Sequence, residues 1–240
     1  MANAWFQFKQ FTIHQERCAM KVTTDACLFG GWVAEQVAKD KDIKTILDVG
    51  AGTGLLSLML AQKSPAAITA IEIDEEAFKQ AGENVNASSW KNRINILHQD
   101  AKAFVPSGRF DCVVSNPPFY ENEWLSTDKQ KNLAHHGTDF LLHDFFLLLP
   151  NVLHGAGRFF LLLPYKRHRQ LMTYFEQQKV VISRICYVRQ SLQHDVFRFM
   201  IEGRLNGNAS IEISELSIKG GDGNYTRGFT SLLKDYYLYL

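Results

Sequence analysis

Two short stretches of this 240-residue chain carry side chains in an order that packing does not explain. The first, Ser115-Asn-Pro-Pro-Phe119, closes an apolar run with an amide, two prolines and an aromatic ring. An exocyclic amino group on a heterocycle is a poor nucleophile because its lone pair is delocalised into the ring. Hydrogen-bond acceptors aimed at its two protons oppose that delocalisation. The side-chain oxygen of Asn116 and the backbone carbonyl of Pro117 are such acceptors, and the paired prolines fix φ and so hold that carbonyl in place. Phe119 offers a face on which a planar base can stack. No charged base is needed beforehand, and the rest is positioning for in-line attack. The same acceptors would serve adenine N6, cytosine N4, guanine N2 or a glutamine side-chain amide equally. The packing alternative is a strand end closed by a rigid X-Pro-Pro turn.

The second stretch, Thr45-Ile-Leu-Asp-Val-Gly-Ala-Gly-Thr-Gly54, is a β-rich apolar run that breaks into a glycine turn and enters an amphipathic helix. That order is the shape of a nucleotide site. Gly50, Gly52 and Gly54 let the backbone turn tightly and approach a ligand, while the helix from Leu55 offers its positive end. The spacing departs from the dinucleotide fingerprint, and the Gly-Lys-Ser/Thr of a phosphate-binding loop is absent. Asp48, on the strand before the turn, would repel a pyrophosphate but can accept from an ammonium group. A zwitterionic, phosphate-free ligand therefore fits better. The next strand ends in Ala70-Ile-Glu-Ile-Asp74, where Glu72 can take both hydroxyls of a ribose. The third runs into His98-Gln-Asp-Ala101, where Asp100 can accept from an adenine amino group. A glycine turn, a ribose acid and an adenine acid at successive strand ends together describe S-adenosylmethionine.

These residues need rigid elements to hold them, and the pattern supplies strands alternating with helices. Apolar runs at 45–49, 68–73, 94–97, 110–115 and 158–163 alternate with helical stretches at 55–62, 75–87 and 140–149. Continuous apolar strands separated by helices mean a parallel sheet covered on both faces. Residues 165–178 read as a helix after the stop at Pro164. Two β-rich segments, 180–189 and 196–205, are expected to pair antiparallel. An amphipathic strand over 211–218 and a final helix over 230–240 complete the chain. Thr24 or Asp25 is the expected N-cap of a helix running through Val37. The whole is predicted to be a doubly wound α/β fold with a mostly parallel seven-stranded sheet. An aromatic lead-in at 1–32 precedes the main domain at 33–240, and its aromatics either plug one end of the sheet or touch a ligand.

Hydrophobic residues make up 46% of the chain, enough for a full core in one domain. No apolar stretch is long enough for a membrane span and no basic, apolar leader opens the chain, so a cytoplasmic protein is the default. Cys18, Cys27, Cys112 and Cys186 lack C-x-x-C spacing and read as reduced structural thiols. His135 and His136 lack an evident third ligand, so no metal site is expected. The net charge of +1 hides an asymmetry: residues 158–204 hold nine Lys and Arg against three acids, a local +6 that leaves −5 elsewhere. A basic third suits a polyanion. The other reading is an ordinary solvated surface.

Asp48-Val-Gly-Ala-Gly-Thr-Gly54, Glu72, Asp100 and Ser115-Asn-Pro-Pro-Phe119 resemble the successive motifs of class I S-adenosylmethionine-dependent methyltransferases. More narrowly, Phe8-Lys-Gln-Phe-Thr12, Arg17-Cys-Ala-Met-Lys-Val-Thr-Thr-Asp25, Asn116-Pro-Pro-Phe-Tyr120 and Lys219-Gly-Gly-Asp-Gly-Asn-Tyr225 resemble the bacterial tRNA (adenine-N6) methyltransferases. That family modifies adenosine 37, beside the anticodon of a valine tRNA, and the likeness covers nearly the whole chain. It implies catalysis by Asn116, Pro117 and Phe119. Its cofactor residues would be Lys21, Thr24, Asp48, Gly50, Gly52, Gly54, Glu72, Ile73, Asp100, Ala101 and Asn116. Lys9, Arg17, Pro118, Tyr120, Lys166, Arg167 and Arg169 would contact the anticodon region of the tRNA, with the 121–136 connection able to fold over it. A monomer is expected. The competing readings are a glutamine methyltransferase acting on a protein, methylation of another exocyclic amine in rRNA or DNA, and an RNA-binding scaffold without turnover.

Overall fold

The computed structural model describes residues 3–117, 142–208 and 210–240. Pro118, Phe119, Tyr120, the 121–138 connection, His135 and His136 lie outside the described residues. A short hairpin, β1 (Trp5–Gln7) and β2 (Thr12–His14), leads into α1 (Thr24–Lys39). The alternation follows as β3 (Thr45–Val49), α2 (Leu55–Lys63), β4 (Ala67–Glu72), α3 (Glu75–Asn86), β5 (Ile94–His98) and β6 (Phe110–Ser115). Beyond lie α4 (Leu142–Val152), β7 (Leu153–Pro164), α5 (His168–Gln177), β8 (Val181–Ser191), β9 (Val196–Arg204), β10 (Glu212–Lys219) and α6 (Arg227–Leu233).

Among the described residues the main sheet has eight strands in the order β10-β8-β9-β7-β6-β3-β4-β5. The expected doubly wound α/β fold is present, with one strand more than the seven expected. The extra strand is β10, which pairs parallel with β8 along its length and so joins the sheet instead of standing apart. β3 to β7 run parallel. β9 enters antiparallel between β7 and β8, so the antiparallel pair of the sequence pattern is real and is also stitched to β7.

The strand period of two sorts side chains to opposite faces. Ile46, Cys112, Val114, Phe160, Leu162 and Met200 face a core under α1, α2 and α6. Leu47, Val49, Val113, Phe159, Leu161 and Leu163 face a second core under α4 and α5. The chain turns one way from β3 into β4 and β5 and the other way into β6 and β7, which opens a crevice at the carboxyl ends of β3 and β6.

Local chemistry sets the ends of the helices. Thr23 caps α1, accepting from Ala26 N at 3.4 Å, so the cap falls one residue before Thr24 and two before Asp25. Asp74 caps α3 through Ala77 N at 2.8 Å, with Glu75 and Glu76 favouring the positive end of the first turn. The last helix begins at Arg227, earlier than the sequence pattern suggests, because Thr226 accepts from Phe229 N at 3.2 Å. It stops at Leu233, whose carbonyl takes both Tyr236 N and Tyr237 N at 2.9 Å, freeing Tyr237 to bridge to Phe8.

Those contacts explain the aromatic lead-in. Phe8 stacks on Phe11 with centroids 4.5 Å apart, Phe6 meets Tyr237 at 5.7 Å, and Phe11 meets Trp90 edge-on at 5.9 Å. Phe6, Phe8 and Phe11 are packing residues in the same core as α1 and α2. Residue 32 lies in the middle of α1. All four cysteines are buried and unpaired among the described residues.

Candidate active site

A cavity of about 540 Å³ opens at the carboxyl ends of β3, β4, β5 and β6. Its floor is the glycine turn. Gly50, Gly52 and Gly54 have φ of 80°, 53° and 80°, a left-handed conformation that side-chained residues resist. A Cβ at Gly50 or Gly52 would meet nothing within 4 Å, so these two positions face open space, whereas Gly54 lies against Ala81 of α3. Gly54 is also the residue before α2, and having no side chain it leaves the N–H groups of Leu55 and Leu56 without a side-chain cap.

Glu72 ends β4, where its buried carboxylate ties the turn down. Oε2 accepts from Gly52 N at 2.8 Å and Oε1 from Asp74 N at 3.0 Å. Each oxygen keeps lone-pair capacity toward the cavity that Glu72 lines. Ile73 lines the wall beyond it, and Asp100 and Ala101 stand opposite at the end of β5. Asp100 spends Oδ1 on Lys102 N at 2.9 Å, capping a single 3-10 turn. Asn116 and Pro117 close the far wall. The Asn116 Oδ1 is buried without a hydrogen-bond partner among the described residues, a costly state in a folded protein unless a ligand supplies the donor. Just before it, Ser115 donates to Val49 O at 2.8 Å and fixes this corner to β3.

The structure therefore brings Lys21, Gly50, Gly52, Glu72, Ile73, Asp100, Ala101, Asn116 and Pro117 to one cavity. Thr24, Gly54 and Asp48 stand outside its lining. For the first, the neighbouring cap residue Thr23 takes the place at the wall. Asp48 shares the face of Ile46 and points beneath α2, where Ser57 donates to Oδ2 at 2.7 Å and Oδ1 has no partner among the described residues. Burial pushes its carboxyl from 3.8 up to about 7, with the Ser57 bond opposing the rise and the Glu72 charge adding to it. The cavity also holds a segment that strand-end reasoning does not reach: Cys18, Ala19, Met20 and Val22 form one wall. Lys21 ties that segment together, donating to Gln15 O and to Cys18 O at 2.9 Å. Burial, with Glu72 nearby, lifts the Cys18 thiol to about 11, which keeps it protonated and inert.

The basic residues of the sequence pattern are not one surface. Lys9 donates to Lys234 O at 2.6 Å, and Arg17 pairs with Glu83 at 2.9 Å; neither lines the cavity. Lys166 and Arg169 are exposed just past the end of β7, and Arg167 follows Lys166 in the same short turn. Arg158, Arg184, Arg189 and Arg198 instead bind acids of the chain itself: Asp40 and Glu202, Glu202 and Glu212, Glu215, and Asp25. Much of the basic third is thus neutralised internally. No group of three or more His, Cys, Asp and Glu able to hold a metal ion is found among the described residues, and no described helix is long and apolar enough to cross a membrane.

The model of the methyltransferase small domain matches residues 32–151, which hold the glycine turn and Asn-Pro-Pro-Phe. Across the whole chain, the sequence is 36% identical to the tRNA1(Val) (adenine(37)-N6)-methyltransferase of Bacteroides thetaiotaomicron, with 100% of each chain covered. The enzyme of that name from Parabacteroides distasonis is 35% identical, with 99% of each covered. The chain belongs to this methyltransferase family. A predicted O-methyltransferase from Agrobacterium tumefaciens superposes with a TM-score of 0.68 over 90% of this chain and 98% of that one, at 17% identity, which shows the shared fold. As a member of the family the protein is an enzyme of the class I methyltransferase type, and S-adenosylmethionine is its cofactor.

Proposed function

We propose that this protein transfers a methyl group from S-adenosylmethionine to N6 of adenine 37 in a tRNA, a valine tRNA by the names of its full-length relatives. The observation that carries the reading is the buried, orphaned Oδ1 of Asn116 at the wall of the cofactor cavity, next to Pro117. The cavity fits the cofactor: the open left-handed cradle at Gly50 and Gly52 is space that any Cβ would enter. Glu72 would take the ribose hydroxyls, Asp100 the adenine amino group, and the amino end of α2 the carboxylate. Lys21, Ile73 and Ala101 complete the walls. When bound, the cofactor supplies a methyl group on a sulfonium, an electrophile that needs no further activation.

The protein's own part is to hold the nucleophile. Asn116 Oδ1 and the Pro117 carbonyl accept the two N6 protons of a base turned out of its stack, so the nitrogen lone pair leaves the ring system. Phe119 is assigned the stacking of the base, Pro118 and Tyr120 are assigned contacts to the tRNA, and the proton shed after transfer passes to water. Lys166, Arg167 and Arg169 lie past β7 on the substrate side, while Lys9 and Arg17 meet RNA only if their present partners release them. The lead-in at 1–32 and the domain at 33–240 act as one unit, because Phe8 and Phe11 share the main core. We read the enzyme as a monomer, since its own helices cover both faces of the sheet, and as cytoplasmic, where a tRNA substrate is found.

The test is methyl transfer from labelled cofactor to total tRNA or to release-factor protein, followed by nucleoside mass spectrometry. N6-methyladenosine in tRNA is the expected product, and label in protein alone would overturn the reading. Asn116→Ala should lower the single-turnover rate by about 100- to 1,000-fold. Its cofactor affinity, measured by calorimetry, should change by less than about tenfold.

A further inference from the structure

A second concavity, of about 510 Å³, lies on the same sheet edge and is lined by Tyr165, Lys166, Arg189, Asp195, Val196 and Phe197. Topology fixes its place relative to the reacting atoms. Ser115 pairs with Leu161 in parallel register, so β7 runs on past the end of β6 to Pro164, and Tyr165 follows at once. Arg198 pairs with Pro164 and Arg189 with Val196, which brings the start of β9 and the end of β8 to that same carboxyl edge. The groove is thus roughly 10 Å, two strand spacings, along the edge from Asn116.

Its chemistry is an aromatic platform beside cations. Tyr165 is 38% exposed, and its ring is buttressed from behind by His168 at 5.3 Å and edge-on by Tyr187 at 5.7 Å. Tyr187 Oη and His168 Nε2 are hydrogen-bonded at 2.9 Å, and Phe199 packs against His168 at 5.0 Å. The platform is therefore rigid before anything binds. Partial burial of His168 lowers its pKa and favours the neutral ring that packs there. Arg189 is aimed by Glu215 at 3.3 Å and by His194 O at 3.0 Å, and Lys166 stands across from it. A π-face flanked by two cations, Lys166 and the Glu215-paired Arg189, with the carboxylate of Asp195 in the same lining, matches one nucleotide: base on the ring, phosphate on the cations, ribose 2′-hydroxyl on Asp195.

We propose that this groove is a second nucleotide subsite, in which Tyr165 stacks an unpaired base of the RNA strand next to the target adenosine while Lys166 and Arg189 hold its phosphate. The inference rests on the reading of RNA as substrate and deepens it by assigning where the strand runs.

Two measurements separate the two ideas. Anisotropy of a labelled anticodon-loop oligoribonucleotide reads binding without turnover, and methylation of tRNA reads KM against kcat. Tyr165→Ala should weaken oligonucleotide binding by about 5- to 100-fold and raise KM for tRNA by a similar factor, with kcat at saturation little changed. Tyr165→Phe should restore both. Lys166→Gln should lower the slope of log affinity against log salt by about one. An abasic nucleotide beside the target should cost the wild type as much as Tyr165→Ala does, and cost Tyr165→Ala nothing more. Calorimetric binding of S-adenosylmethionine at wild-type strength shows that a variant is folded. Wild-type binding and KM in Tyr165→Ala would overturn the subsite and leave the tRNA reading standing. RNA bound through Tyr165 without methylation of any tRNA would overturn the reading and leave the subsite.

Discussion

Two buried oxygens without partners among the described residues, Asn116 Oδ1 and Asp48 Oδ1, stand just past β6 and on the neighbouring β3, and they do different things. The first belongs to a residue of the cavity wall and has no donor among the described residues. The second lies one layer below, where its carboxyl is raised from 3.8 to about 7. A carboxyl raised on folding binds its proton more tightly in the native protein than in the unfolded chain. Its contribution to stability is therefore full below about pH 4 and is lost as the pH rises through about 7. Asp48→Asn keeps the shape and the acceptor for Ser57 but stays neutral. It should unfold at higher urea than wild type near pH 8, by on the order of a few kcal/mol, and match it near pH 4. Parallel stability profiles across that window would show that the carboxylate carries no burial cost. The placement of Asp48 was legible in part: an alternating strand that points Ile46 at one core points Asp48 the same way. Strand-end reasoning reached Glu72, Asp100 and Asn116 because each stands at or just past the end of its strand, whereas Asp48 is one residue short of it.

The glycine turn joins local backbone preference to ligand space, and the two can be separated. Gly52→Ala pays about 1 kcal/mol for a left-handed alanine and also sets a methyl group into the open cradle. Gly82, inside α3 with ordinary φ and room for a Cβ, is the control, and Gly82→Ala should stabilise the protein by about 0.5–1 kcal/mol. The expected pattern is a loss of cofactor affinity of at least about tenfold for Gly52→Ala, against none for Gly82→Ala, with thermal midpoints moving by only a few degrees in opposite directions. Equal cofactor affinity in both variants would remove the turn from the binding site. This turn was readable because positive φ selects glycine and the spacing repeats. The wall made by Cys18 to Val22 was not, since its position depends on Lys21 folding back onto carbonyls of its own segment and on Arg17 reaching Glu83, pairings that no local pattern encodes.

At the scale of the molecule, the charge asymmetry is chiefly a device for seating α1. Even-numbered positions of β9 face that helix. Arg198 meets Asp25 in its first turn at 2.9 Å, and Glu202 gathers Arg158 at 3.3 Å and Arg184 at 3.2 Å beneath its last turn, where those arginines also reach Asp40 and Gln36. Asp25 and the arginines suit the positive and negative ends of α1 respectively. Composition alone exposed the excess of arginine but not its partners, of which Asp40 and Asp25, at the two ends of α1, come from 118 and 173 residues away in sequence. The consequence is a split between stability and function. Glu202 is 2% exposed, so Glu202→Gln removes the buried carboxylate shared by two arginines, each of which keeps a second acid, Asp40 or Glu212, and should destabilise the fold by roughly 1–3 kcal/mol. Replacing Glu202 and Arg158 together by methionine removes one buried charge of each sign, and should recover most of that loss. Urea midpoints measure both. Because the network lies at the end of β7 opposite the cavity, the cofactor dissociation constant of each folded variant should equal that of wild type. A network whose loss weakened cofactor binding as much as stability would instead mean that the seat of α1 transmits to Thr23 and the cavity wall.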